Sequence, residues 1–243
     1  MFSYQQNFFT LTKEVDREQF WALVDAPYTK ELIDGVRRLK AEAAECLLQG
    51  DEAKAKELER NAALMKKRLP AFVFQAKCFD VTTSKSGKTQ GPIRKQCAVR
   101  LNGLCVLDVD HVDNPREVFR MWSEQFTQPD GNRPWEETLG VLLVYVTPSG
   151  HGLKVVFKAD AEKGNLIDNM NAMAGVLGVE ADQSCKDASR LSFICTRDDI
   201  LYINEDELFT YEDKAFAEKY EPFYRGLTPN PSPIGEGAGV RLL

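Results

Sequence analysis

A chain of 243 residues with 43% hydrophobic and 28% charged side chains is large enough to bury a substantial core and has the make-up of a globular protein. Its net charge of −6 excludes wholesale coating of DNA or membrane, although 31 lysines and arginines leave room for a local basic groove. The longest apolar run, residues 141–146, is too short for a bilayer, no basic and apolar leader opens the chain, and the six cysteines include no Cys-x-x-Cys pair. These features predict a cytoplasmic protein with reduced thiols and no membrane partner.

Residues 1–28 carry Phe2, Phe8, Phe9, Phe20 and Trp21, enough for a strand and a short helix. From 30 to 49, apolar residues at 32, 33, 36, 39, 43 and 47 follow the helical period; Gly50 stops that helix, and Asp51 can cap a second one running to Arg68 before Pro70. The result is a helical hairpin. Lys66, Lys67 and Arg68 at its end suit the helix dipole, or else contact a phosphate backbone. Residues 71–79 predict a strand, and 82–100 a polar loop that is disordered or folds over a ligand. Ser86-Gly-Lys-Thr89 is not a phosphate-binding P-loop, because Thr82 stands at the required first glycine and Gly91-Pro92 blocks the helix that must follow. Lys85, Lys88, Arg94 and Lys95 in this loop are candidates for touching nucleic acid, or plain solvated charges.

The stretch Asn102-Gly-Leu-Cys-Val-Leu-Asp-Val-Asp110 reads as a central strand. Leu104, Val106, Asp108 and Asp110 share one face, Cys105, Leu107 and Val109 the other. Two carboxylates emerging together repel each other unless a cation is bound, so the pair predicts a divalent-metal site, with a solvated loop end as the alternative. Asn114-Pro115-Arg-Glu117 starts a helix with Val118, Phe119, Trp122 and Phe126 facing the core. A loop at 128–137, a strand at 139–146, a turn at 147–152, a strand at 153–158 and a helix from 162 to 177 ended by Gly178 follow. Short strands at 191–195 and 200–203, a helix at 212–220 and a proline- and glycine-rich tail from 226 complete the chain.

Only two histidines, 111 and 151, are present. Paired-histidine nuclease, His-Glu-x-x-His, calcium-loop and Gly-x-Ser-x-Gly patterns are all absent. Ser149-Gly150-His151-Gly152 sits between two strands, where glycines let backbone N–H groups approach an anion; a plain hairpin turn reads equally. Lys154 opens the next strand on the side away from Leu153, Val155 and Phe157, lining a solvated outer face or a phosphate groove. Farther on, Asp182 follows Ala181, and Asp187 and Arg190 precede a strand.

Taken in order, Asp108-Val-Asp110, Ser149-Gly-His151 and Ala181-Asp182 resemble the three motifs of the archaeo-eukaryotic primase superfamily. The longer matches Leu107-Asp-Val-Asp-His111, Ser149-Gly-His-Gly-Leu-Lys154 and the segment from Asp182 to Leu191 look like the primase-like domain that precedes virulence-associated-E-type helicase domains of mobile elements. The resemblance covers residues 70–205 and lacks any helicase or P-loop. It implies an α+β fold: a mixed, largely antiparallel sheet of the primase-polymerase, RRM-like type with packed helices. Residues 1–69 would form a helical extension, 70–225 the catalytic domain and 226–243 a disordered tail.

It also implies nucleotidyl transfer with two Mg2+ or Mn2+ ions held by Asp108, Asp110 and Asp182. Ser149, Gly150 and His151 would grip the triphosphate, with Lys154 and Arg190 neutralising phosphate charge. Implied partners are NTP or dNTP, a single-stranded DNA or RNA template, and a helicase in trans. A catalytically inactive nucleic-acid-binding module of the same fold is the alternative, and a metal-dependent phosphodiesterase a third reading.

Overall fold

In a computed structural model, residues 1–126, 134–181 and 187–231 are described, and the expected α+β architecture is present with antiparallel sheets. The chain opens with β1 (Phe2–Gln5) and β2 (Thr12–Val15), then α1 (Arg17–Val24) and the long helices α2 (Pro27–Leu48) and α3 (Glu52–Lys66). The Oδ1 of Asp51 accepts the N–H of Lys54, capping α3 as its position after Gly50 predicts.

The stretch expected as one strand at 71–79 is two: β3 (Ala71–Val73) and β4 (Ala76–Phe79). They pair with different partners, β3 with β1 and β4 with β7 (Val99–Leu101). The intervening 82–100 segment is not irregular throughout. It holds a small hairpin of β5 (Thr82–Thr83) and β6 (Gln90–Gly91), and Pro92 stitches it to β2 by accepting from both the N–H and the hydroxyl of Thr12. Then come β8 (Leu104–Asp110), α4 (Pro115–Phe126), α5 (Trp135–Thr138), β9 (Val141–Val146), β10 (Gly152–Lys158) and α6 (Leu166–Leu177). The α6 helix starts later than its apolar period suggests because Asn165 and Asp168 form a reciprocal capping box there. The chain ends in β11 (Ser192–Phe193), β12 (Ile200–Ile203), α7 (Glu205–Leu208) and α8 (Lys214–Tyr224).

Two four-stranded antiparallel sheets result, one ordered β11-β3-β1-β2 and the other β12-β9-β10-β8. The alternation along β8 sorts its side chains between two cores. Cys105, Leu107 and Val109 join Trp122 of α4, Trp135 of α5, Met170 of α6 and Phe216 of α8. Leu104 and Val106 join Phe2 and Phe72 of the first sheet, Phe20 of α1 and Ile33 of α2. The second sheet is therefore buried on both faces, which is why its strands read as nearly continuous apolar runs. The boundary expected after residue 69 crosses the first sheet, since β1 is hydrogen-bonded to β3. Among the described residues no helix is long and apolar enough to cross a membrane.

Candidate functional site

Three successive cross-strand rows show how the sequence makes a site at the end of β8. Val106 lies opposite Val156, which faces Leu143 on β9: an apolar row. One pleat farther, Asp108 lies opposite Lys154, which faces Tyr145. One more, and Asp110 lies opposite Gly152. Because side chains alternate with period two, all three rows occupy the face that meets the first sheet. The inter-sheet core thus ends in an ion pair and then in a carboxylate.

The Lys154 ammonium donates to Oδ2 of Asp108, and both residues are nearly sealed, at 4% and 7% exposure. Lys154 is therefore not on a solvated outer face. A buried carboxylate or ammonium is tolerated only when paired, so each holds the other in place. Beside them, Tyr145 donates its hydroxyl to the carbonyl of Phe193 at 3.1 Å, and burial pushes its pKa well up, keeping it neutral. Asp110 is exposed at the strand end. His111 follows it with φ of 59°, a left-handed kink that turns the chain off the sheet, and Val112 N–H bonds the His151 carbonyl at 3.1 Å. Gly152 is required here. A Cβ would sit 2.8 Å from the Val109 carbonyl oxygen and 3.0 Å from the Thr147 hydroxyl, pushing the turn away from Asp110.

These acids line a cleft of about 430 Å3 together with Lys66, Arg94, Lys154, Asp187 and Arg190, with Phe8, Thr147, Pro148 and Phe193 among its walls. Lys66 reaches it from the last turn of α3, its ammonium 5.2 Å from the centre of the Phe193 ring. Burial lowers the Lys66 pKa, as does the nearby Lys154 charge, while Asp108 and Asp110 pull it back up. Arg94, from the 82–100 segment, donates to Oε1 of Gln5 and to the Ser189 carbonyl, both at 2.9 Å. Its acceptors are neutral, and burial lowers its pKa too. Asp187 accepts from the N–H and hydroxyl of Ser189, both at 2.8 Å, and its carbonyl accepts from Arg190 N–H. It fixes the turn that presents Arg190.

The sequence-derived candidates divide as follows. The structure brings Asp108, Asp110, Lys154 and Arg190 into one cleft. Asp182 lies outside the described residues. Ser149, Gly150 and His151 line a different hollow, against Arg37, Lys40, Ala44 and Leu48 of α2. Arg37 anchors this turn, donating to the carbonyls of Thr147 and Pro148 and to Oδ2 of the buried Asp199 at 2.9 Å. Arg37 was not singled out in the sequence, although it sits four residues after the buried Ile33, where a charge on an apolar stripe calls for a partner. Phe8 carried no signal of cleft-lining beyond being aromatic.

As donors for Mg2+ or Mn2+, the Asp108 and Asp110 carboxylates have the right hard-oxygen chemistry. Among the described residues they gain no third His, Cys, Asp or Glu close enough to complete a cluster. Two carboxylates suit an ion that takes its remaining ligands from phosphate and water, as Mg2+ commonly does.

A family model described as BT4734-like, N-terminal domain, matches residues 64–202. The chain belongs to this family. The matched span holds β8, β9 and β10 whole and starts just before Lys66, so in this BT4734-like domain the cleft is built almost entirely within the family region. Phe8 lies outside it. No curated protein and no solved structure matches the chain.

Proposed function

We propose that this chain is a primase-polymerase-type nucleotidyltransferase domain that makes or extends short nucleic acid on a single-stranded template. One observation carries the reading: a strand-end carboxylate pair opens into a cleft furnished with Lys66, Arg94, Lys154 and Arg190. Four cationic side chains outnumber the three aspartates of the cleft, and two of those aspartates are strand-end hard-oxygen donors, a set that suits a polyphosphate with its divalent ion. Asp108 and Asp110 would hold Mg2+ or Mn2+, with Asp182 as the third ligand the family resemblance implies. Bound there, the metal would supply Lewis acidity toward a phosphoryl oxygen and toward the attacking hydroxyl.

The chain's own groups do the rest. Lys66 and Arg94 are held in the cleft on a ring and on neutral acceptors, so their charge is available to phosphate oxygens. Lys154 compensates Asp108 until an anion in the cleft competes for its ammonium. Arg190 adds charge from the Asp187-braced turn. These basic groups supply the grip on phosphate that the resemblance assigned to Ser149, Gly150 and His151. The same resemblance carries the finer expectations: NTP or dNTP as substrate, DNA or RNA as template, a helicase in trans, and work in the cytoplasm on mobile-element replication.

A second reading, a nucleic-acid-binding module without catalysis, is favoured by the Lys154–Asp108 pair, which neutralises one of the two metal donors from within. Template-directed synthesis with labelled NTPs or dNTPs and Mn2+ separates the two. Asp110→Asn is the variant of choice because Asp110 is exposed and its loss leaves the buried Lys154–Asp108 pair intact. Products that disappear in Asp110→Asn support the enzyme. Single-strand binding that ignores both Mn2+ and Asp110→Asn, with no product, leaves the binding module.

A further inference from the structure

The turn between β1 and β2 puts one aromatic side chain, Phe8, in the wall of the cleft and leaves the next, Phe9, packed on it in solvent. Phe8 lines the cleft at 37% exposure, and Phe9 beside it is 81% exposed. Their rings meet edge to face at 5.4 Å. This is not a slack loop. Phe9 N–H bonds Oδ1 of Asn7 at 2.9 Å, Thr10 closes the turn on Asn7 through its N–H and hydroxyl, and Gln5 donates its side-chain amide to the Thr10 carbonyl. Phe8 N–H is tied to the carbonyl of Lys67 beyond the end of α3. The turn is therefore braced while presenting an apolar ring to water, a surface that packing alone would hide.

What surrounds Phe8, the ring that Phe9 packs on, states what fits the pair. The Lys67 ammonium lies 5.7 Å and the Arg94 guanidinium 5.5 Å from the centre of the Phe8 ring. Arg94 is joined through Gln5 to the same turn. Aromatic faces set among cations along a phosphate-binding groove are the means by which proteins hold unpaired nucleotides: the ring stacks the base and the cations meet the flanking phosphates. An uncharged aliphatic partner would leave that charge unused.

We infer that Phe9, backed by Phe8, stacks a nucleobase of the ligand whose phosphates occupy the cleft, making the β1–β2 turn a base-binding platform. This rests on the cleft's being the nucleotide or nucleic-acid site proposed above. The base belongs either to a single strand or to a mononucleotide, and the test separates these.

The experiment measures binding of fluorescein-labelled oligothymidylate, and of an abasic strand of equal length, to the full chain by anisotropy. Variants are Phe9→Ala, Phe9→Leu and Phe9→Trp; at 81% exposure none of them disturbs the core. Stacking requires that Phe9→Ala and Phe9→Leu weaken oligothymidylate about tenfold, leave the abasic strand unchanged, and that Phe9→Trp restore binding. Competition by dTTP against tripolyphosphate locates the base: a preference for dTTP that vanishes in Phe9→Ala assigns it to a mononucleotide, and a loss confined to the strand assigns it to the template. Equal binding of the two strands by the unaltered chain, or equal losses on both in Phe9→Ala, overturns the platform while leaving the phosphate site standing. Failure of the unaltered chain to bind either strand or dTTP overturns both.

Discussion

The cleft at the end of β8 and the hollow between its neighbouring turn and α2 both contain lysine and arginine, but they treat the charge differently. In the hollow, Arg37 is committed to the Asp199 carboxylate and two carbonyls, and Lys40 to Glu59 at 3.1 Å on α3. In the cleft, Lys66 sits on a ring and Arg94 on neutral oxygens, both desolvated and neither within ion-pair distance of a carboxylate among the described residues. Cations matched to carboxylates hold elements together. Cations kept at a desolvation cost without such partners are poised for an incoming anion. Lys154 stands between the two cases, paired like a structural residue yet facing the cleft.

The largest effect tests that intermediate position. Asp108→Ala leaves a buried ammonium without its carboxylate, which costs about 3–5 kcal/mol of folding stability. Adding Lys154→Met removes the stranded charge and should recover most of the loss, because the apolar pair continues the Val106–Val156 row below it. Urea unfolding of the wild type, both single variants and the double variant measures this. If the double variant is as unstable as the sum of the singles, the pair is not the unit described.

Next in size is the hollow. Arg37→Ala removes a charged hydrogen bond from the buried Asp199, which keeps the Thr196 hydroxyl at 2.7 Å and Arg116 at 3.6 Å, so the loss should be about 1.5–3 kcal/mol. Phosphate-ligand affinity in the cleft should stay within about twofold. A tenfold fall in oligonucleotide affinity at unchanged stability would make the hollow part of the binding surface and erase the distinction.

How much of this the sequence discloses depends on the range of the interaction. Period-two alternation from Leu104 to Asp110 and the caps at Asp51 and Asn114 are local, and they are legible. That Asp108 and Lys154 belong to one site is half legible: alternation puts each on the face of its strand opposite Leu107 and Val109 or Leu153 and Val155, but their registry, 46 residues apart, is set by the β8–β10 ladder. The break at Phe74-Gln75 is hidden because both halves of the stretch are apolar, and only the sheets they join tell them apart. The convergence of Phe8, Lys66 and Arg94 is illegible, since three separate segments deliver them. The place of Ser149–His151 in the hollow depends on Arg37, whose partner Asp199 is 162 residues away.

Lys66→Met sharpens the contrast from the other side. It removes a desolvated charge with no carboxylate within ion-pair distance among the described residues, so stability should hold or rise slightly, whereas oligonucleotide affinity should fall about tenfold. The slope of log affinity against log salt should shrink by about one, the mark of one lost phosphate contact. Unchanged affinity with lost stability would place Lys66 with the structural cations.

The smallest effect is in the pH dependence. The folded-state pKa of Lys66 lies below its ordinary 10.5, with burial the main cause. Between those two values the unfolded chain holds more protons than the folded one, so this group's contribution to stability rises with pH: its unfavourable burial is fully felt below the folded pKa and relieved above it. Affinity moves the opposite way, because the ammonium that meets phosphate is lost as pH climbs through the folded pKa. Oligonucleotide binding should therefore weaken before the exposed lysines titrate, and Lys66→Met should flatten that part of the profile. A profile identical in the variant would mean that the charge at Lys66 never met the ligand, leaving Arg94 as the cleft's one desolvated cation, among the described residues, held solely by neutral acceptors.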